Sequence, residues 1–200
     1  MTINPITKPA LTASLALLAA ILLVDDAPAQ TKTKATLAPP TATVVLLPVA
    51  LYNAQANMQE ASDSSQAVLS TEVLTSKLRE LLGNQLLAGP HVAEVASSPR
   101  AQATTGNQPC KVIVACARLV ADSLDADWVV TAKVSKTSNL IWLFTGQLIH
   151  AATGKIVLDD STELKGETTA MVRAGSRIFA ERIARTVRNG GVANNFPNVP

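Results

Sequence analysis

Three aspartates lie within six residues, Asp122, Asp125 and Asp127. Paired carboxylates carry out general acid and base work when burial drives their pKa values apart. These three fall where a helix gives way to a strand, which is the composition of a solvated turn, so hydrolysis is the weakest of three functional readings. The only two histidines, His91 and His150, stand apart from other ligands at metal-binding spacing. There is no G-x-S-x-G, no H-E-x-x-H and no phosphate-cradling loop: "ATGK" (152–155) lacks the upstream glycine and sits in a hairpin. The inventory points to no enzyme, no metal and no cofactor.

The remaining chemistry belongs to Cys110 and Cys116, the only cysteines. Their spacing is not C-x-x-C, and the apolar stretch 112–114 between them suits a structural pair better than a redox one. Six residues of one regular helix rise about 9 Å, beyond the limit of roughly 7 Å between bridged Cα atoms. A disulfide therefore requires Cys110 to lie outside the helix, which Pro109 favours. The alternative is two buried thiols.

The elements that position these groups follow from periodicity. Residues 43–51 ("TVVLLPVAL") form an apolar, β-branched run of strand length, demoted by Pro48 to an edge or bulge. Helical spacing of Ala67, Val68, Leu78, Leu81 and Leu82 predicts a helix over 63–82, capped by Asp63 or Ser64 and closed at Gly83-Asn84. "HVAEVA" (91–96) alternates as a short second strand, and 97–109 is a loop. A helix over 111–124 carries Ile113, Cys116 and Val120 on one side. Strands follow at 127–135, 140–150 and 155–165, and a helix at 169–188 has the stripe Val172, Gly175, Phe179, Ile183 and Thr186. The expectation is a single α+β domain, order β-α-β-α-β-β-β-α. A mixed, mostly antiparallel five-stranded sheet carries about three helices on one face.

The flanks read differently. Fourteen apolar or small residues, 11–24, precede Ala27-Pro28-Ala29, the small-x-small pattern of signal-peptide cleavage, and the run is short for a membrane span. Residues 1–29 are read as a cleaved signal peptide and 30–42 as a disordered leader. Residues 43–189 are the domain and 190–200 a flexible tail. Export to the periplasm is expected, with an uncleaved inner-membrane anchor as the alternative. The chain has 17 basic and 15 acidic residues; removing Lys8, Asp25 and Asp26 with the signal leaves 16 and 13. A balance of +3 does not suit nucleic acid.

Two surfaces stand out. The hairpin tip after Lys136 contains Ser138 and Asn139, short polar residues that serve a tight turn without any ligand. The last helix carries Arg173, Arg177, Arg185 and Arg188 opposite its apolar stripe, with Glu181 spaced to pair with Arg177 and Arg185. Trp142 and Phe144 share one side of their strand and default to the core.

From Cys110 onward the chain resembles an uncharacterised family of secreted proteobacterial proteins. The resemblance lies in Ala126-Asp127, the hairpin Val134 to Ile141, the turn Ala152 to Lys155, and Gly166 to Arg173 leading into the last helix. Three departures stand beside it: Thr137 is inserted between Lys136 and Ser138, His150 replaces an aspartate, and Lys165 replaces an arginine. More remotely, the strand–helix order is similar to the amino-terminal domain of the TolB translocation protein and to CsgG-type envelope proteins, a likeness of fold.

Together these features predict a non-enzymatic periplasmic protein that binds another envelope protein through its sheet or last helix. Lys136, Ser138, Asn139, Arg173 and Arg177 are the candidate surface, and any membrane contact is peripheral. The runner-up is a small-molecule-binding or enzyme-accessory protein with a groove near the hairpin tip and Asp127.

Overall fold

The computed structural model describes residues 41–53, 60, 62–106, 110–138 and 141–193, all within one compact unit. The segments expected to be signal peptide and leader, up to residue 40, lie outside it, as do Asn139, Leu140 and the last seven residues.

The sheet is organised around β4 (Trp128–Lys136), whose side chains are buried on both faces except for half-buried Lys133. That two-sided burial is why the strand reads as nearly continuous apolar sequence. β1 (Val44–Leu46) and β2 (Ala50–Asn53) both run parallel to β4, pairing Val44 with Trp128 and Ala50 with Lys133. The single expected strand over 43–51 is thus split at Pro48. Proline has no N–H for the ladder, and the next amide, Val49, leaves the sheet to donate to Thr71 Oγ1 at 2.9 Å. On the other side of β4 run β5 (Ile141–His150) and β6 (Ile156–Lys165), antiparallel. Gly154, with φ of 72°, closes the turn between them. β3 (Leu86–Leu87) pairs with β1, which gives the order β3-β1-β4-β5-β6 with β2 beside the second half of β4.

Among the described residues, five α-helices accompany these six strands. α1 (Asp63–Leu82) and α5 (Thr168–Arg188) pack together on one face, over a core that includes Leu74, Leu78, Val130, Phe144, Phe179 and Ile183. Trp142 and Phe144 belong to this core. A buried hydrogen bond joins Ser70 Oγ and Ser176 Oγ across the two helices at 2.7 Å. The α5 stripe expected from Val172 to Thr186 is buried throughout. Among the described residues, no helix is long and apolar enough to cross a membrane.

The mixed α+β class and the final meander-plus-helix match expectation; three details differ. "HVAEVA" is not a strand but most of α2 (Pro90–Ala96), and the second strand is instead the two-residue β3. Pro90 occupies the first turn of α2, where its fixed φ suits a helix start. The loop over 97–109 contains a short helix, α3 (Pro99–Gln102). Third, helices cover both faces: α2, α3 and α4 (Val114–Ser123) bury Val45, Leu47, Val129 and Ile149 on the second face. Cys110 lies in a 3₁₀ turn ahead of α4, outside the helix, and is bridged to Cys116 with the Cα atoms 5.2 Å apart.

Candidate functional site

The second core stops partway along the sheet. On β4 and β5 it includes Val129 and Ile149, but none of the residues that follow on the same side. Strand alternation places Thr131, Lys133 and Ser135 of β4 on this side. Leu143, Thr145 and Gln147 of β5 lie beside them, followed by Asp159, Ser161 and Glu163 of β6. The register fixes two cross-strand rows, Thr131–Gln147–Asp159 and Lys133–Thr145–Ser161. Thr131 and Ser135 are buried, the β5 residues and Lys133 half-buried, and the three β6 residues exposed.

The rim of this half-face is apolar and aromatic. Tyr52, on β2, is 56% exposed. The Lys133 ammonium stands 5.6 Å from the centre of its ring, within cation–π range. Val112, 37% exposed, borders the opposite side from the 3₁₀ turn that the disulfide holds against α4. Beside Val112 and Lys133 lies a depression of about 170 Å³, lined also by Thr131, Gln147 and Asp159 among others. Gln147 Nε2 donates to Asp159 Oδ2 at 3.4 Å.

Lys136 does not lie at the surface, contrary to expectation. Its side chain is 3% exposed, and its ammonium donates to both oxygens of Asp63, at 3.1 and 3.2 Å, and to Glu60 Oε1 at 3.3 Å. Burial lowers the lysine's pKa, but the hydrogen bonds and negative charges of Asp63 and Glu60 outweigh it and hold the value above 10.5. β4 has nine residues, so its last side chain points inward with those of Trp128 and Val130. A charge there needs a partner. Ser138 is half-buried and its hydroxyl accepts from the Ile141 amide at 3.1 Å, a turn-closing bond.

Arg173 and Arg177 are exposed one turn apart on α5. They face Glu72, Lys77 and Glu80 of α1 across an open cleft of about 530 Å³. Glu181 lies 3.9 Å from Lys77, which is bound to Glu80 at 2.8 Å, so this helical layer mixes both signs of charge.

Of the three aspartates, Asp127 is scaffolding. Asp127 Oδ2 accepts from the Thr43 amide at 2.9 Å, and the Asp127 carbonyl accepts from the Ala151 amide at 2.8 Å. Asp127 therefore ties the starts of β1 and β4 to the end of β5. Asp122 and Asp125 are exposed. His91 lies at the surface, 3.9 Å from Glu94, and His150 Nδ1 shares a hydrogen bond with Thr153 Oγ1 at 2.9 Å. Among the described residues no three metal-ligating side chains come together.

Residues 42–183 match the family model DUF3280, described as a protein of unknown function (DUF2380), and the chain belongs to that family. No curated protein matches the chain at a significant level. Solved structures show remote similarity. The C-terminal domain of LpoB from Salmonella enterica is 14% identical, with 66% of this chain and 87% of that one covered and a TM-score of 0.41. TolB from Acinetobacter baumannii is 12% identical over 80% of this chain and 31% of that one, with a TM-score of 0.43. Lipoprotein GNA1162 from Neisseria meningitidis is 12% identical over 73% and 99%, with a TM-score of 0.41.

Sequence reasoning placed Asp159 on the outward face of its strand but passed over Tyr52, Lys133 and Gln147. The signal was present in β5, where Thr145 and Gln147 alternate with Phe144 and Leu148, and in the chain's single tyrosine.

Proposed function

We propose that this chain is a non-enzymatic, exported envelope protein that binds another envelope protein through the open half of its second sheet face. One observation carries the reading. Tyr52, more than half exposed, and Val112 border a strip of sheet on which the second core ends. Exposed aromatic side chains are enriched where proteins meet, and a sheet face that mixes polar and apolar side chains is a flat platform for such contact. The disulfide supports the compartment, because such bridges persist in oxidising surroundings such as the periplasm. The helical surface of Arg173 and Arg177 fits less well, since the cleft beside it carries glutamates from α1 and no exposed aromatic.

The test is photo-crosslinking in the living host, with a probe at Tyr52 and a second at Arg177. The expected result is one discrete protein adduct at position 52 that disappears when Lys133 is changed to Glu. An adduct at 177 alone, or none at 52 while the folded protein is abundant, overturns the assignment.

A further inference from the structure

β6 ends the sheet, and among the described residues no strand pairs with its outer edge. An open edge of ten residues presents unpaired N–H and C=O groups that a second chain can continue. Charge on an edge discourages such pairing, and β6 carries Asp159, Asp160, Glu163 and Lys165. Here those charges oppose most alignments and favour one.

α5 roofs this edge. Its Ser176 side is turned to α1, and the Phe179 ring fills the space over Gly146 of β5. Further round the helix, Arg182 reaches β6 and binds Asp160 at 2.7 Å. Ile178 lies one turn before Arg182 and, by helical spacing, on the side of it away from Phe179, so it overhangs the outer edge of β6. It is 50% exposed, with exposed Ala174 a turn further on. Gly175 stands over Leu164 and Arg182 over Asp160, which sets Ile178 level with Thr162 between them. Thr162 shares their face of β6, yet it is exposed.

We propose that β6 pairs antiparallel with β6 of a second copy of this chain, about a twofold axis through Thr162 perpendicular to the sheet. Such an axis keeps every side chain on its own face, so the central residue opposes itself and the others pair symmetrically about it. Asp159 of each copy then faces Lys165 of the other, and Ser161 faces Glu163. Centring on Asp159, Asp160 or Glu163 sets an acid against itself, and centring on Ser161 sets Asp159 against Glu163. Centres nearer either end of β6 leave only short ladders. Opposite charges across a strand pair stabilise it and like charges destabilise it, so the Thr162 register is selected.

The helices fit the same axis. α5 lies over β5 and β6, about one strand spacing from the axis, so the two copies of α5 run antiparallel roughly 9–10 Å apart, a normal packing distance. Ile178 then meets Ile178 of the second copy, and its exposed surface is covered. Tyr52, on β2, is on the far side of β4 from this edge. The pairing leaves it free and is independent of the protein partner proposed above.

The experiment is sedimentation velocity of the full chain from ~1 to ~100 μM. The expected result is a monomer that passes to a dimer as concentration rises. Asp159→Lys and Lys165→Asp each turn two attractions into two repulsions and weaken the dimer ~10-fold or more. The double variant inverts the pair and restores association, a recovery that lost folding would not give. A chain that stays monomeric through ~100 μM, a dimer indifferent to both single changes, or a double variant no better than the singles would each overturn the assignment.

Discussion

Lys136 Nζ lies 3.1 Å from Asp63 Oδ1, with both side chains almost wholly buried. This pair fastens the end of β4 to the first residue of α1, 73 positions apart. Removing Lys136 leaves the Asp63 carboxylate buried without its cation, and removing Asp63 leaves the buried ammonium only the more exposed Glu60. Lys136→Met and Asp63→Asn should each lower the melting temperature by several degrees, and the double variant by less than the sum. A double-mutant cycle in urea reads the coupling; additivity would show that the pair does not act as a unit. The lysine's pKa is raised, so its contribution is full below about 10.5, the unfolded value, and is lost as pH climbs through the higher folded value. Stability should therefore fall in strong base, and Lys136→Met should flatten that limb.

Glu167 governs the opposite limb. Its carboxylate caps α5, accepting from the Ala170 amide at 2.6 Å and the Thr169 amide at 3.0 Å, and these bonds hold its pKa below 4.5. The stabilisation is complete above the unfolded value and disappears as pH falls through the folded one. Glu167→Ala should reduce stability at neutral pH and leave it nearly unchanged in strong acid. An equal loss at both ends of a pH series of urea melts would count against the cap.

Gly146 sits in the middle of β5 because Phe179 occupies the space where a Cβ would stand. The ring is buried and meets Phe144 edge-on, with centroids 5.5 Å apart. Gly146→Ala should cost about 1–3 kcal/mol through overpacking, even though alanine is the better strand former. A midpoint unchanged in denaturant would mean that Phe179 moves aside freely.

The Cys110–Cys116 bridge closes a short loop, for which chain-entropy reasoning gives about 2 kcal/mol. Replacing both cysteines with serine should cost about that much in urea, and it should broaden the amide signals around Val112, since the 3₁₀ turn loses its tether. Sharp, unshifted Val112 signals in the variant would show that packing alone holds the turn.

Much of this arrangement was legible in residue order. The period of two in β5 and β6, the 3.6-residue stripe of α5 and the turn at Gly154 are local patterns, each dictated by which side chains must face a core. The disulfide was legible as a condition, that Cys110 lie outside the helix. Short apolar segments were the harder case. Six alternating residues after Gly89-Pro90 suit a strand or two helical turns equally, and the proline's position and the packing under Val92 and Ala96 decided for helix.

The sequence by itself determined an α+β chain with a three-stranded meander, a closing amphipathic helix and no recognisable catalytic constellation. Only the tertiary structure decided which polar residues face water and which meet one another. Lys136 and Lys133 are three residues apart on one strand, yet the first is buried against Asp63 and the second is half-open beside Tyr52. Odd and even positions of a strand take opposite faces. What covers each face is set by helices distant in sequence, α1 over one and α4 over part of the other, and no local pattern records where that cover ends.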